Sequence, residues 1–201
     1  MSHTNDTRKT SGWLRMITYL LRHRAIGLFL FIGLLTTVVS WINPAFLSAQ
    51  NLRDIAVQAA PICIISCGVM LVLVAGEIDI SVGSMMGVLA ASMGIMVSAS
   101  RAQLPPHVAI ALTLLIGIGM GLFNGLLVAY VGVPSIIVTL GMLTALRGLT
   151  EIIMNGAWIT DLPEEIRFLG TGTILSVPLS LWTTACVLAV TIWLIHRTPI
   201  G

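Results

Sequence analysis

The chain has 201 residues, of which 57% are hydrophobic and 9% charged, and its formal net charge is only +2. Its mean hydropathy is +1.01, which excludes an ordinary water-soluble domain: a chain of this size has nowhere inside itself to hide so much apolar surface. No nucleic-acid partner is expected, and lipid must be the solvent for much of the chain.

The first 25 residues hold Arg8, Lys9, Arg15, Arg22 and Arg24, half of the ten basic residues. They form a basic tail (1–25), and the positive-inside rule places the N-terminus in the cytoplasm. Trp13 to Leu21 mixes apolar and basic residues, so it reads either as a surface-lying amphipathic helix or as a flexible tail. The first apolar run lacks a small-residue cleavage site and reads as a signal anchor.

Six apolar runs follow, each near the roughly 17 to 25 residues that cross a bilayer as a helix. They cover about Ile26 to Ile42, Ile55 to Ala75, Val82 to Ala99, Val108 to Val131, Ser135 to Ile153, and Ile174 to Ile195. They are apolar on all faces and too long for strands of a membrane barrel. Helices are the remaining way to satisfy the backbone in lipid. The expected fold is therefore all-α: a polytopic transmembrane helical bundle of about six spans, occupying residues 26–201. Pro61, Pro134 and Pro178 are expected near the starts of their helices, where a missing amide costs least. Asn155 to Thr173 is expected to be a polar outer loop, and an even number of crossings puts His196 and Arg197 inside.

Between the second and third runs stands Gly76-Glu77-Ile78-Asp79-Ile80-Ser81-Val82-Gly83-Ser84, with two of the chain's eight acids. Ionised carboxylates are costly in hydrocarbon. One placement is a cytoplasmic turn in which Asp79 or Ser81 caps the third helix; the other is a broken helix lining a translocation path. Parity favours the turn, because a broken, unreversed helix would leave five crossings.

In the fourth run Gly117, Gly121 and Gly125 repeat every four residues, a spacing that lets helices approach closely. Asn124 beside them either bonds to a neighbouring helix or lines a polar route. In the fifth run Arg147 and Glu151 are spaced to pair along one face, and Ser135, Thr139 and Thr144 add hydroxyls. Cys63 and Cys67 share a helical face, but without a nearby histidine they read as small packing residues rather than metal ligands. No catalytic constellation is visible. The candidate path or gate positions are Asp79, Ser81, Asn124, Thr139 and Arg147.

Gly76-x-Ile78-Asp79-Ile80-Ser81-Val82-Gly83-Ser84 resembles the signature of the monosaccharide-type ABC transporter permeases, in the ribose, rhamnose and autoinducer-2 branches. Asn124-Gly125-Leu126-Leu127-Val128, then Val133-Pro134-Ser135-Ile136-Ile137-Val138-Thr139-Leu140-Gly141, then Leu146-Arg147-Gly148-Leu149 and Asn155-Gly156 follow in the family's order. Trp158-Ile159-Thr160-Asp161-Leu162-Pro163 is more similar to the autoinducer-2 and rhamnose branches than to the ribose branch. Glu77 departs from the pattern, standing where the family usually has glycine.

The resemblance implies a permease subunit, not an enzyme, importing a small sugar or sugar-like molecule across the bacterial inner membrane. The implied partners are a cytoplasmic ATP-binding subunit, a periplasmic substrate-binding protein and a second permease chain in the bilayer. ATP would be held by the separate subunit, and no Gly-x-x-x-x-Gly-Lys-[Ser/Thr] loop occurs here to bind it. Such permeases run to over about 300 residues, a size set by roughly ten spans, so the chain is expected to correspond to an N-terminal portion. The alternatives are an ion- or proton-coupled secondary transporter, using Glu77, Asp79 or the Arg147–Glu151 pair, and a truncated membrane protein that does not transport.

Overall fold

The structure, a computed structural model, describes residues 24–197. The basic tail ahead of Arg24, with the candidate surface helix Trp13 to Leu21, lies outside the described residues. The chain divides into two compact units, Met1–Ile55 and Ala56–Gly201.

In the first unit α1 (Arg24–Ile42) is an uninterrupted apolar helix. Its hydroxyls are satisfied locally: Thr37 donates to the Gly33 carbonyl and Ser40 to the Thr36 carbonyl, the back-bonding that lets such residues sit in an apolar helix. The Asn43 side chain then caps a single 3-10 turn, Pro44–Leu47. The Ser48 hydroxyl accepts the Asn51 amide as α2 (Ala49–Val74) begins.

α2 starts six residues earlier than the apolar run, because its first turns are polar and are held by a Gln50–Asp54 hydrogen bond rather than by lipid. Pro61 consequently lies inside the helix, not near its start as its place in the apolar run implies. There it removes one helical donor.

In the second unit the helices are α3 (Val82–Val97), α4 (Pro106–Ala129), α5 (Ser135–Met154) and α7 (Leu179–Arg197). Two expected boundaries change. The polar segment after α5 contains a short amphipathic helix, α6 (Glu164–Thr171), with both glutamates in its first turn, where they complement the helix dipole. Thr173–Ile174 (β1) and Val177–Pro178 (β2) pair as a small antiparallel hairpin, with Leu175 and Ser176 at φ of 54° and 64°. The last long helix therefore starts at Leu179, later than the expected Ile174.

α2, α4, α5 and α7 are each long and apolar enough to cross a membrane, and α1 and α3 are shorter apolar helices. At 1.5 Å per residue α4 is about 36 Å long and α3 about 24 Å, against a hydrocarbon core of about 30 Å. Only 6% to 17% of the most apolar stretch of each long helix is buried within the chain. The remaining apolar surface needs lipid or another protein against it.

α3 packs against α5 and α4. Its buried positions Val88, Ala91, Gly94 and Val97 recur every third residue and form one narrow face. They are small or β-branched, so the helix axes can come close. Ile78, just ahead of α3, meets Ser135 at the start of α5, while Ser98 at the end of α3 meets Asp161 beyond α5. α3 and α5 are therefore parallel neighbours, and α4 runs back between their levels, with Asn124 near its end facing Ser81.

Candidate functional site

The five candidate residues do not all converge. Asp79, Asn124 and Thr139 line a cavity of about 500 Å³ where α2, α4 and α7 end and α3 and α5 begin. Ser81 is 0% exposed and sits directly behind the wall. Arg147 instead lines a second cavity of about 340 Å³ with Glu151, Thr150, Ser84, Gly83, Gly87 and Leu143, on the α3–α5 face. No ion pair joins Arg147 to Glu151 among the described residues.

The main cavity owes its shape to two turns. Gly76 and Gly132 stand at φ of +83° and +77°, a region closed to most side chains. They let the chain leave α2 and α4 abruptly. α7 follows the loop containing Asp161 at the far end of the bundle and returns to the cavity with Leu194. α2 runs beside it in the same sense, with the Thr184 hydroxyl 3.4 Å from the Ala60 carbonyl and the α2 end at the cavity. The segment between α2 and α3 is thus a reversing turn rather than a break in one continuing helix.

Asp79 organises this turn. One of its carboxylate oxygens accepts both the Ser81 amide at 2.7 Å and the Ser81 hydroxyl at 2.6 Å. Asp79 satisfies the free amide ahead of α3 from two residues upstream. The Ser81 side chain makes no cap of its own. It accepts a hydrogen bond from the Asn124 amide nitrogen at 3.1 Å, so a turn, α3 and α4 are joined through one hydroxyl.

Ser135 completes the arrangement by accepting the Ile78 amide at 3.3 Å, and the Thr139 hydroxyl donates to the Ser135 carbonyl at 2.8 Å. Ser135 is 9% exposed and Thr139 2%. The sequence places hydroxyls at these positions but carries no signal for the tie between Ser135 and Ile78, 57 residues apart. The glycine ridge also divides in two. A Cβ at Gly117 would meet Leu89 at 3.4 Å, as a packing contact, whereas Gly121 and Gly125 have nothing within 4 Å and line the cavity.

Two acids, Glu77 and Asp79, line this cavity, and among the described residues no basic side chain does. Its polar groups are mainly acceptors set in an apolar wall, which suits a ligand rich in hydrogen-bond donors and disfavours an anion. Among the described residues there is no cluster of three or more histidine, cysteine or acidic side chains that could hold a metal. Cys67 is buried, and Cys63 and Cys186 are exposed.

At the opposite end of α3 a second polar tie holds the chain. The Ser98 hydroxyl and the Ser100 amide donate to the Asp161 carboxylate. Hydrogen bonding from the Ser100 hydroxyl, the Ser98 hydroxyl and the Ser100 amide lowers the Asp161 pKa to about 2. Ile159 lies over Gly94, where a Cβ would stand 3.1 Å from its Cδ1.

Residues 51–201 match the family described as branched-chain amino acid transport system / permease component. The chain is 34% identical over 186 residues to autoinducer 2 import system permease protein LsrC of Escherichia coli (strain K12 / DH10B), covering 92% of this chain and 54% of that relative. It is 36% identical over 177 residues to ribose import permease protein RbsC of Haemophilus influenzae, covering 86% of this chain and 54% of that relative. The LsrC protein of Photorhabdus laumondii is 31% identical over 186 residues, 92% of this chain and 55% of that relative. The chain spans about half the length of these curated relatives. No solved structure matches it.

Proposed function

Because the chain belongs to the family of branched-chain amino acid transport system permease components, we propose that it is a membrane-spanning subunit of a binding-protein-dependent ABC importer for a small sugar or sugar-like molecule. The observation that carries this reading is the extent of the family match, which includes all the helices around the main cavity. The relatives named for ribose and autoinducer 2 support a small hydroxylated substrate. So does a cavity lined by Asn124, Ser135 and Thr139 and, among the described residues, by no basic group.

In this reading the N-terminus is cytoplasmic, because the basic tail precedes α1. The cavity with Asp79 then opens toward the cytoplasm and the Ser98–Asp161 tie faces the periplasm of an inner membrane. Asp79 and Ser81 shape the inner gate, Asn124 and Thr139 line the path, and Arg147 borders a second polar chamber along α3 and α5. A cytoplasmic ATP-binding subunit supplies the driving force, a periplasmic binding protein delivers substrate, and a second permease chain completes the path.

The test is co-expression with the ATP-binding and binding-protein subunits, reconstitution into proteoliposomes, and uptake of labelled pentoses and autoinducer 2. Uptake is expected to require ATP and binding protein and to persist with a protonophore. Uptake that follows a proton or sodium gradient without ATP would instead establish an ion-coupled transporter. Failure to associate with an ATP-binding subunit would overturn the reading.

A further inference from the structure

The orientation of the Asn124 amide is fixed by chemistry. The Ser81 hydroxyl has one proton, and the 2.6 Å contact with the Asp79 carboxylate uses it, because the same carboxylate oxygen already accepts the Ser81 amide at 2.7 Å. Toward Asn124 the Ser81 oxygen can therefore only accept. The amide must present its nitrogen, as the 3.1 Å bond shows, and its oxygen is turned away from Ser81. Among the described residues that oxygen is buried without a hydrogen-bond partner, in a residue only 5% exposed that lines the main cavity.

A buried acceptor left unpaired is costly, and native structures normally supply it with a donor. We infer that the Asn124 amide oxygen is the acceptor for a hydroxyl group of an uncharged, polyhydroxylated substrate, with Ser81 as the residue that positions it. This rests on the transport reading and names the contact that the substrate makes.

Depth separates the neutral ligand from a cation. Glu77 and Asp79 are only half-buried at the turn, where water can reach their charge. The deeply buried acceptor is a neutral amide. Stripping the hydration from a cation to reach it costs far more than burying one hydroxyl. The apolar wall, including Val72, Val128 and Leu194, suits the carbon–hydrogen faces of a small ring. Gly121 and Gly125, on the same helix, leave open space in the cavity, and the amide oxygen, which has almost no accessible surface of its own, meets the substrate hydroxyl when the wall side chains give way.

The test pairs changes in ligand with changes in protein, using the full permease chain assembled with its ATP-binding and binding-protein subunits in proteoliposomes. Labelled pentoses and their single-deoxy analogues are compared in wild type, Asn124→Leu and Ser81→Ala, with each variant checked for assembly and binding-protein-stimulated ATP hydrolysis. In wild type, one deoxy analogue should show a KM raised about 3- to 10-fold, the range of one neutral hydrogen bond. The same analogue should show no added penalty in Asn124→Leu, and a reduced one in Ser81→Ala, whose amide is free to turn. Should Asn124→Leu not assemble, Asn124→Ala serves the same comparison.

Equal deoxy penalties in wild type and variant would overturn the inference while wild-type uptake leaves the transport reading standing. Uptake lost when choline replaces sodium would overturn it in favour of a cation at Asn124. Absence of wild-type uptake for every pentose and for autoinducer 2 would remove both readings together.

Discussion

The Ser98 hydroxyl lies 2.9 and 2.8 Å from the two carboxylate oxygens of Asp161, a residue 63 positions away. One proton cannot serve both oxygens at once, so the carboxylate is held as an acceptor between this hydroxyl and the Ser100 amide at 2.8 Å. The contact ties the end of α3 to the loop that follows α5, and the Ala99 amide reaches the Asp161 carbonyl beside it.

This tie is expected to depend on pH in one direction only. The Asp161 pKa is lowered from an ordinary 3.8 to about 2, so the unfolded chain binds the proton more readily than the folded one. The stabilisation is then fully present above about pH 4 and is lost as the pH falls from 3.8 toward 2. Hydrogen exchange across residues 155–163, corrected for intrinsic rates, should be flat between pH 5 and 7 and rise at lower pH. Asp161→Asn should abolish that change. A rise centred near pH 6 would assign the loop's docking to another group.

Gly94 tests the same contact from the apolar side. A Cβ there stands 3.1 Å from the Ile159 Cδ1, which must give by a few tenths of an ångström, and in ordinary contact with its Cγ2 and Cβ at 3.5 and 3.6 Å, while alanine gains roughly 0.5–1 kcal/mol of helix preference over glycine. Gly94→Ala should therefore change stability by less than about 1 kcal/mol. Gly94→Leu must displace Ile159 and should cost about 1–3 kcal/mol, in the range of overpacked cores. Thermal melting in detergent, with exchange across 157–162, separates the two. Equal melting temperatures for both variants would show that Ile159 does not rest on this glycine.

The acids of the turn divide by their contacts. Asp79 holds the Ser81 amide and hydroxyl, whereas the Glu77 side chain makes no hydrogen bond among the described residues. Asp79→Ala should cost about 1 kcal/mol, typical of a lost cap, and should lower uptake because the freed Ser81 proton no longer fixes the Asn124 amide. Asp79→Asn keeps one acceptor oxygen and should impair uptake less. Glu77→Gly should leave uptake within about twofold of wild type, the scale of a surface change within ±0.5 kcal/mol. Stronger loss from Glu77→Gly than from Asp79→Ala would mean that the acids are assigned in the wrong order.

What the sequence made legible was the part written in local pattern. Runs of apolar residues located the six helices, and Pro134 and the glycines marked the turns beside the cavity. The start of α2 was hidden because Gln50, Arg53 and Asp54 break the apolar run while continuing the helix. The hairpin before α7 was hidden because Leu175 and Ser176 adopt positive φ without glycine or asparagine to announce it. Asp79, Asn124 and Thr139 line one cavity with Ser81 behind its wall, and a charge or an amide in an apolar stretch is itself a signal. The partners of those groups were not legible. Nothing near Ser98 points to Asp161, and nothing near Ile78 points to Ser135, because helix-to-helix register is set by packing rather than by spacing along the chain.

Packing leaves the two cavity-lining glycines of α4 open. Gly121 and Gly125 line the cavity with nothing within 4 Å of a built Cβ, so alanine at either should fold normally and gain helix preference. A larger side chain at Gly125, one residue from Asn124, projects into space that the proposed path requires. Gly125→Ala should retain most uptake, and Gly125→Leu should reduce it at least about 10-fold while melting within a few degrees of wild type, since filling open volume strains no neighbour. Binding-protein-stimulated ATP hydrolysis should persist in Gly125→Leu, separating a blocked path from a failed assembly. Gly117→Leu provides the contrast: its Cβ already touches Leu89 at 3.4 Å, so it should lower the melting temperature. If Gly125→Leu transported normally, substrate would have to pass elsewhere, and the second cavity beside Arg147 would be the place to probe.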